Sequence, residues 1–170
     1  VERDVMEYDV LIIGGGPSGL SSAIKVKQLA NAEGKDVSVC VLEKGSEIGA
    51  HILSGNVFEP TALNELIPDW KEKEAPLNSP ATKDIVKFMI SENYSINIPF
   101  PSFLIPTFNN HGNYVMSLAN FTRWLATQAE SLGVEIFPGF TAAEVIFEEN
   151  VVKGVLTGEM GISKDGEKKP

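Results

Sequence analysis

A single cysteine, Cys40, stands among 170 residues, so within this stretch there is no disulfide and no iron–sulfur cluster held by cysteines. Lying inside an apolar run, Cys40 reads as a small core residue rather than a metal ligand. Basic residues are also few. Fourteen Lys and Arg against 23 Asp and Glu leave a net charge of −9, with no basic stripe. That balance argues against a nucleic-acid partner and against broad electrostatic adhesion to anionic lipid. No apolar run is long enough to cross a bilayer as a helix, and no repeat period appears. A chain that starts at Val1 and stops in a polar run at Pro170 is expected to be a piece of a longer protein. Its 43% apolar content is ordinary for an α/β domain with a sizeable core.

The most informative stretch is Tyr8 to Leu20. Val10 to Ile13 is a short continuous apolar run, expected as a central parallel strand covered on both faces. Gly14-Gly15-Gly16-Pro17-Ser18-Gly19 follows at once. In this pattern Gly14 permits a tight turn, Gly16 lets backbone approach a pyrophosphate, and Gly19 lets a helix pack closely on the strand. Pro17 suits a first helical position, and the N–H groups that open the helix are a ready anion site. Glycine-rich turns are common, so context must carry the reading. Leu20, Ala23, Ile24, Val26 and Leu29 give an apolar helix face to about Ala32, Gly34 stops that helix, and Val37 to Leu42 is a second buried strand. It finishes at Glu43, placed to accept hydrogen bonds from an adenosine ribose; the alternative is a solvated charge at a strand end. An acid there favours FAD or NAD over NADP.

Beyond Lys44 the loop to Gly55 is rich in glycine and apolar residues. In an FAD fold Ser54 and Gly55 would approach the isoalloxazine ring, although small residues also mark ordinary packed loops. His51 reads as structural. Pro60 to Ile67 suits a short helix, and Ile85–Ile90 with Tyr94–Ile98 suits a hairpin. Residues 93–122 contain no Asp, Glu, Lys or Arg, and Pro99, Pro101 and Pro106 exclude a helix from the most apolar part. Such a loop either packs inside a second domain or, exposed, lines an apolar ligand site or dips into a membrane surface. A helix from Ser117 to Leu132 with Phe121, Leu125, Ala129 and Leu132 on one face, the strand Val134 to Phe137, and a hairpin of Ala143–Phe147 and Val151–Thr157 complete the reading. Arg123 is expected to be solvated, and backbone near Val145 to meet adenine.

Several stretches are more particular than the glycine pattern: Val41-Leu42-Glu43-Lys44, Ile48 to Gly55, Pro68-Asp69-Trp70-Lys71-Glu72-Lys73, Asn109 to Tyr114 and Gly161 to Gly166. Through them the chain resembles the N-terminal part of the electron transfer flavoprotein:ubiquinone oxidoreductases. The resemblance implies an α/β, FAD-binding Rossmann-like domain of the glutathione-reductase type, joined to the start of an inserted β-rich domain facing quinone and membrane. It implies FAD contacts from Gly14, Gly15, Gly16, Pro17, Ser18, Gly19, Glu43, Lys44, Ser54, Gly55 and Val145. No residue of this stretch need be catalytic. The partners implied are electron transfer flavoprotein, ubiquinone and a membrane surface, bacterial cytoplasmic or mitochondrial inner, with a four-iron four-sulfur cluster held beyond Pro170. The domains expected are residues 1–75 and 114–170 for FAD and 76–113 for the membrane side. An Arg common in the wider superfamily falls at Leu118 here, and its role does not pass to Arg123. Another FAD reductase or hydroxylase of the same fold is the competing assignment, and a bare nucleotide-binding module the third.

Overall fold

A computed structural model describes residues 4–98 and 109–158. Along the chain run β1 (Val10–Ile13), α1 (Pro17–Ala32), β2 (Val39–Glu43), β3 (Asn56–Phe58), α2 (Thr61–Leu66), β4 (Ser79–Pro80), β5 (Lys87–Ser91) and β6 (Tyr94–Asn97). There follow β7 (Tyr114–Met116), α3 (Leu118–Ser131), β8 (Val134–Pro138), β9 (Ala142–Glu148) and β10 (Val151–Thr157). The chain divides into two units, Val1–Leu53 with Ala119–Pro170, and Ser54–Leu118.

In the first unit β1, β2 and β8 form a parallel sheet in the order β1-β2-β8, with Val10 beside Val39 and Val39 beside Val134. The central strand is β2, whose Val39, Cys40, Val41 and Leu42 are all buried. Burial raises the Cys40 thiol pKa to about 11, which keeps it an inert core group. Among the described residues β1 is an edge strand, and Ile13 is 54% exposed. A continuous apolar run specifies burial on both faces but says nothing of strand order, and β8 takes the outer side of β2.

Helix α1 spans the range its pattern predicts, with Pro17 in the first turn and Gly34 at φ +65° just past its end. Its buried face is Leu20, Ala23, Ile24, Lys27 and Ala30, whereas Leu29 is largely exposed. Each large apolar side chain buried there contributes about 1.5–3 kcal/mol. Lys27 takes a core position because its stem is apolar and its ammonium donates to the Val37 carbonyl at 2.9 Å. At the other end of the sheet Asp9 and Ser38 clasp the strand starts. The Ser38 N–H and hydroxyl both donate to Asp9 Oδ2 at 2.8 Å, and the Asp9 N–H donates to Ser38 Oγ at 2.9 Å.

Phe121, Leu125 and Ala129 bury the predicted face of α3. Strands β9 and β10 pair antiparallel around Glu149 and Asn150, whose φ of 49° and 65° are those of a two-residue hairpin turn.

In the second unit β7 is central, pairing antiparallel with β3 and β4. Leu63, Ile67, Trp70, Ala75, Leu77 and Met116 are buried. The Trp70 ring meets Tyr114 edge-on at 5.7 Å and its Nε1–H donates to Asn64 Oδ1 at 2.7 Å. The unit runs from 54 to 118, the pairing of Asn56 with Met116 tying both flanks into one sheet. The expected hairpin is present as β5–β6. The proline-rich segment, with Phe100, Phe103, Leu104 and Ile105, lies outside the described residues.

Candidate cofactor-binding site

The carboxyl ends of β1 and β2 build the site from backbone. Gly14 has φ +108°, which a side chain would strain, and its N–H donates to the Leu42 carbonyl at 2.7 Å. This turn brings Gly15 against β2, where it is buried between Ile48 and the Glu43 stem. Gly16 is the helix N-cap in an extended conformation, and a Cβ there would meet nothing within 4 Å. Gly19 is the opposite: a Cβ would run into the Gly14 carbonyl oxygen and lie 3.2 Å from Ile12 Cγ2. Gly16 thus borders open space, while Gly19 is required by helix–strand packing.

Pro17 contributes no N–H, and the N–H groups of Ser18 and Gly19 lie in the first turn of α1, where a helix offers no carbonyl of its own. With the positive end of the helix dipole, that is an environment for a phosphate. Beside it stands Glu43. Its Oε2 accepts from the Gly15 N–H at 2.8 Å and its Oε1 from the Gly45 N–H at 2.7 Å. A carboxylate has about four acceptor positions, so capacity for ribose hydroxyls is left over. Open space at Gly16, first-turn donors and an acceptor carboxylate suit the diphosphate and ribose of a dinucleotide.

The other predicted residues are more dispersed. Lys44 is exposed next to Glu43, and Val145 is 45% exposed on β9. Ser54 and Gly55 are exposed at the start of the second unit, with Gly55 at φ +85°. Next in sequence, the buried Asn56 Oδ1 has no hydrogen-bond partner among the described residues. His51 is exposed.

Sequence reasoning missed the ties around Glu43. Gly45 is buried, and its carbonyl accepts from the Gly139 N–H at 2.7 Å, joining the loop after β2 to the end of β8. Gly49, at φ +84°, lies where a Cβ would stand 2.9 Å from the Ala119 carbonyl oxygen. Its smallness therefore serves packing on α3. Arg123 is not merely solvated, since it pairs with Glu47 at 3.5 Å and donates to Asn120 Oδ1 at 2.9 Å. The signals available were Pro138-Gly139 after a strand and the apolar Ile48 beside Gly49 in the loop after β2.

A family model described as an NAD(P)-binding Rossmann-like domain matches residues 12–68, the segment that holds this site. The chain is 55% identical over 171 residues to an electron transfer flavoprotein-ubiquinone oxidoreductase of Pseudomonas aeruginosa, covering 99% of this chain and 31% of the relative. The mitochondrial electron transfer flavoprotein-ubiquinone oxidoreductase of Dictyostelium discoideum is 54% identical over 165 residues, 96% of this chain and 26% of that protein. Over nearly its whole length the chain is similar to part of the electron transfer flavoprotein-ubiquinone oxidoreductases. It spans less than a third of the length of these relatives. Among solved structures, a geranylgeranyl bacteriochlorophyll reductase-like protein from Thermoplasma acidophilum has a TM-score of 0.63 and 25% identity, over 88% of this chain and 34% of that one. The fold is mixed α/β with a Rossmann-like βαβ unit. Among the described residues no helix is long and apolar enough to cross a membrane, and no group of three or more His, Cys, Asp or Glu side chains is placed to hold a metal ion.

Proposed function

We propose that this chain binds FAD and forms the FAD-binding part of an oxidoreductase that carries electrons from reduced electron transfer flavoprotein to ubiquinone. The observation that carries the reading is the pairing of open space at Gly16 with the Glu43 carboxylate held beside it. Gly14 and Gly16 take the diphosphate, and the N–H groups of Ser18 and Gly19 donate to it. Pro17 holds the first turn, and Gly15 seats Glu43 toward the ribose. Lys44 stands at the outer edge with a positive charge. Ser54 and Gly55 approach the isoalloxazine. Val145 lies toward adenine. Bound FAD supplies the redox chemistry, and the protein fixes its orientation and limits access of water.

The segment 76–113 belongs to the membrane and quinone side in this reading. In its support, Phe88, Met89, Ile90, Tyr94 and Ile96 of the β5–β6 hairpin are all exposed. A four-iron four-sulfur cluster would be held by cysteines outside this chain. The membrane is the bacterial cytoplasmic or the mitochondrial inner one. A second reading, an FAD reductase of the geranylgeranyl type, has the structural likeness in its favour.

One experiment separates the two. The full-length protein is purified, its flavin identified by absorption and mass, and electrons supplied either by reduced electron transfer flavoprotein or by a reduced nicotinamide. Flavin reduction by the flavoprotein followed by quinone reduction is the expected result. Reduction by the nicotinamide alone would favour the second reading, and absence of flavin would overturn both.

A further inference from the structure

We infer that Glu43 is a positioning residue, whose carboxylate holds the glycine turn and the loop after β2 in place independently of a bound cofactor. Three parallel strands end side by side here, and their outgoing loops are linked in a chain of backbone contacts with one side chain at its hub. The Gly15 N–H and the Gly45 N–H both donate to the Glu43 carboxylate, at 2.8 and 2.7 Å. The Gly45 carbonyl in turn accepts from Gly139 at 2.7 Å. The first loop leaves β1, the second leaves β2, and the third leaves β8. A half-buried carboxylate taking two backbone donors makes charge-assisted bonds, the stronger kind. Beside these, the Gly14 N–H donates to the Leu42 carbonyl, and Glu47 of the loop after β2 pairs with Arg123.

The consequence reaches beyond a ribose contact, which would use the acceptor positions that Gly15 and Gly45 leave over. Without Glu43, two buried N–H groups lose their acceptor and both loops open more often. The inference concerns the cofactor-free protein and does not depend on which nucleotide binds.

Hydrogen–deuterium exchange read by mass spectrometry on the full-length protein, stripped of flavin, tests it. Peptides containing Gly15 and Gly45 are followed in the parent, Glu43→Ala and Glu43→Gln, with circular dichroism to establish folding. In Glu43→Ala both amides are expected to exchange on the order of tenfold faster. In Glu43→Gln, which keeps one acceptor oxygen, one of the two speeds up and the other stays near the parental rate. FAD titration of the same proteins reads the ribose role separately. Parental exchange at both amides in folded Glu43→Ala and Glu43→Gln overturns the inference, whatever happens to FAD affinity.

Discussion

Gly19 and Gly14 touch backbone to backbone: a Cβ on Gly19 would overlap the Gly14 carbonyl oxygen, while the neighbouring Gly16 has open space where its side chain would be. Glycines three residues apart in one motif thus answer to different forces. Gly19→Ala overpacks the junction of β1 and α1 and should cost at least about 1–3 kcal/mol of stability. Gly16→Val should cost no more than about 1 kcal/mol, since no side chain caps the helix there now, yet it fills the space proposed for the diphosphate. The expected pattern is a folded, flavin-free Gly16→Val and a destabilised Gly19→Ala. Thermal unfolding and flavin stoichiometry check it, and flavin-replete Gly16→Val would remove the diphosphate assignment.

The ribose role of Glu43 gives a second outcome. Glu43→Ala removes a charged acceptor, and FAD affinity should fall by roughly 1.5–3 kcal/mol, about tenfold to a hundredfold. Titration of the flavin-free protein measures it. Unchanged affinity would leave Glu43 with its backbone contacts only.

Much of this was legible from the residues alone, and what was missed has physical reasons. The βαβ unit could be read because a run of buried-strand residues, a glycine turn and a 3.6-residue period follow one another locally. The order of the sheet could not, since β8 lies some ninety residues beyond β2 and nothing in Val10–Ile13 says whether a neighbour stands on one edge or two. The three-residue β3 carries too little periodicity to foretell its pairing with β7. Lys27 gives no signal of burial, because a charged residue normally marks the solvent side of a helix. Glu43 was found by its place at a strand end, but the two glycine amides on its carboxylate depend on loop geometry that spacing does not encode.

Lys27 supplies a third prediction. Lys27→Met keeps the apolar stem on the core face of α1 but leaves the Val37 carbonyl without its donor, at a cost of roughly 1–3 kcal/mol. Lys25→Met on the exposed side should change stability little. Paired denaturant titrations compare the two, and equal effects would mean that the Lys27 ammonium contributes nothing beyond its stem.

The Asp9–Ser38 clasp makes stability depend on pH. The Ser38 backbone N–H, followed by its hydroxyl, holds the Asp9 carboxyl below its ordinary value. Because the folded value is the lower one, the stabilisation is fully present above the unfolded value of about 3.9 and is lost as pH falls through it toward the folded value. Asp84, held down by the Asn110 side chain and backbone N–H, acts in the same direction. Asp9→Asn should therefore be less stable than the parent at neutral pH, with the gap closing in acid. Urea titrations across that range read the gap, and a constant difference would show that the carboxyl does not sense folding.

The β5–β6 hairpin carries the membrane proposal to a test. Phe88 and Ile96 are cross-strand partners, both exposed, on a two-stranded sheet whose second strand lies in the charge-free stretch 93–122. Exposed apolar pairs cost little in water when isolated, but a cluster of five on one hairpin is the kind of surface that binds an apolar medium. If the hairpin dips into a bilayer surface, Phe88→Asp with Ile96→Asp places two charges where desolvation is expensive. Phe103→Asp with Leu104→Asp, chosen from the sequence alone, does the same in the proline-rich segment. Both pairs should cut liposome sedimentation and reduction of a long-tailed quinone, while flavin content and reduction by electron transfer flavoprotein stay close to the parent. A short, water-soluble quinone should still be reduced, which separates loss of membrane contact from loss of electron transfer. Flavin-replete double variants that sediment with liposomes like the parent would show that the hairpin faces something other than lipid.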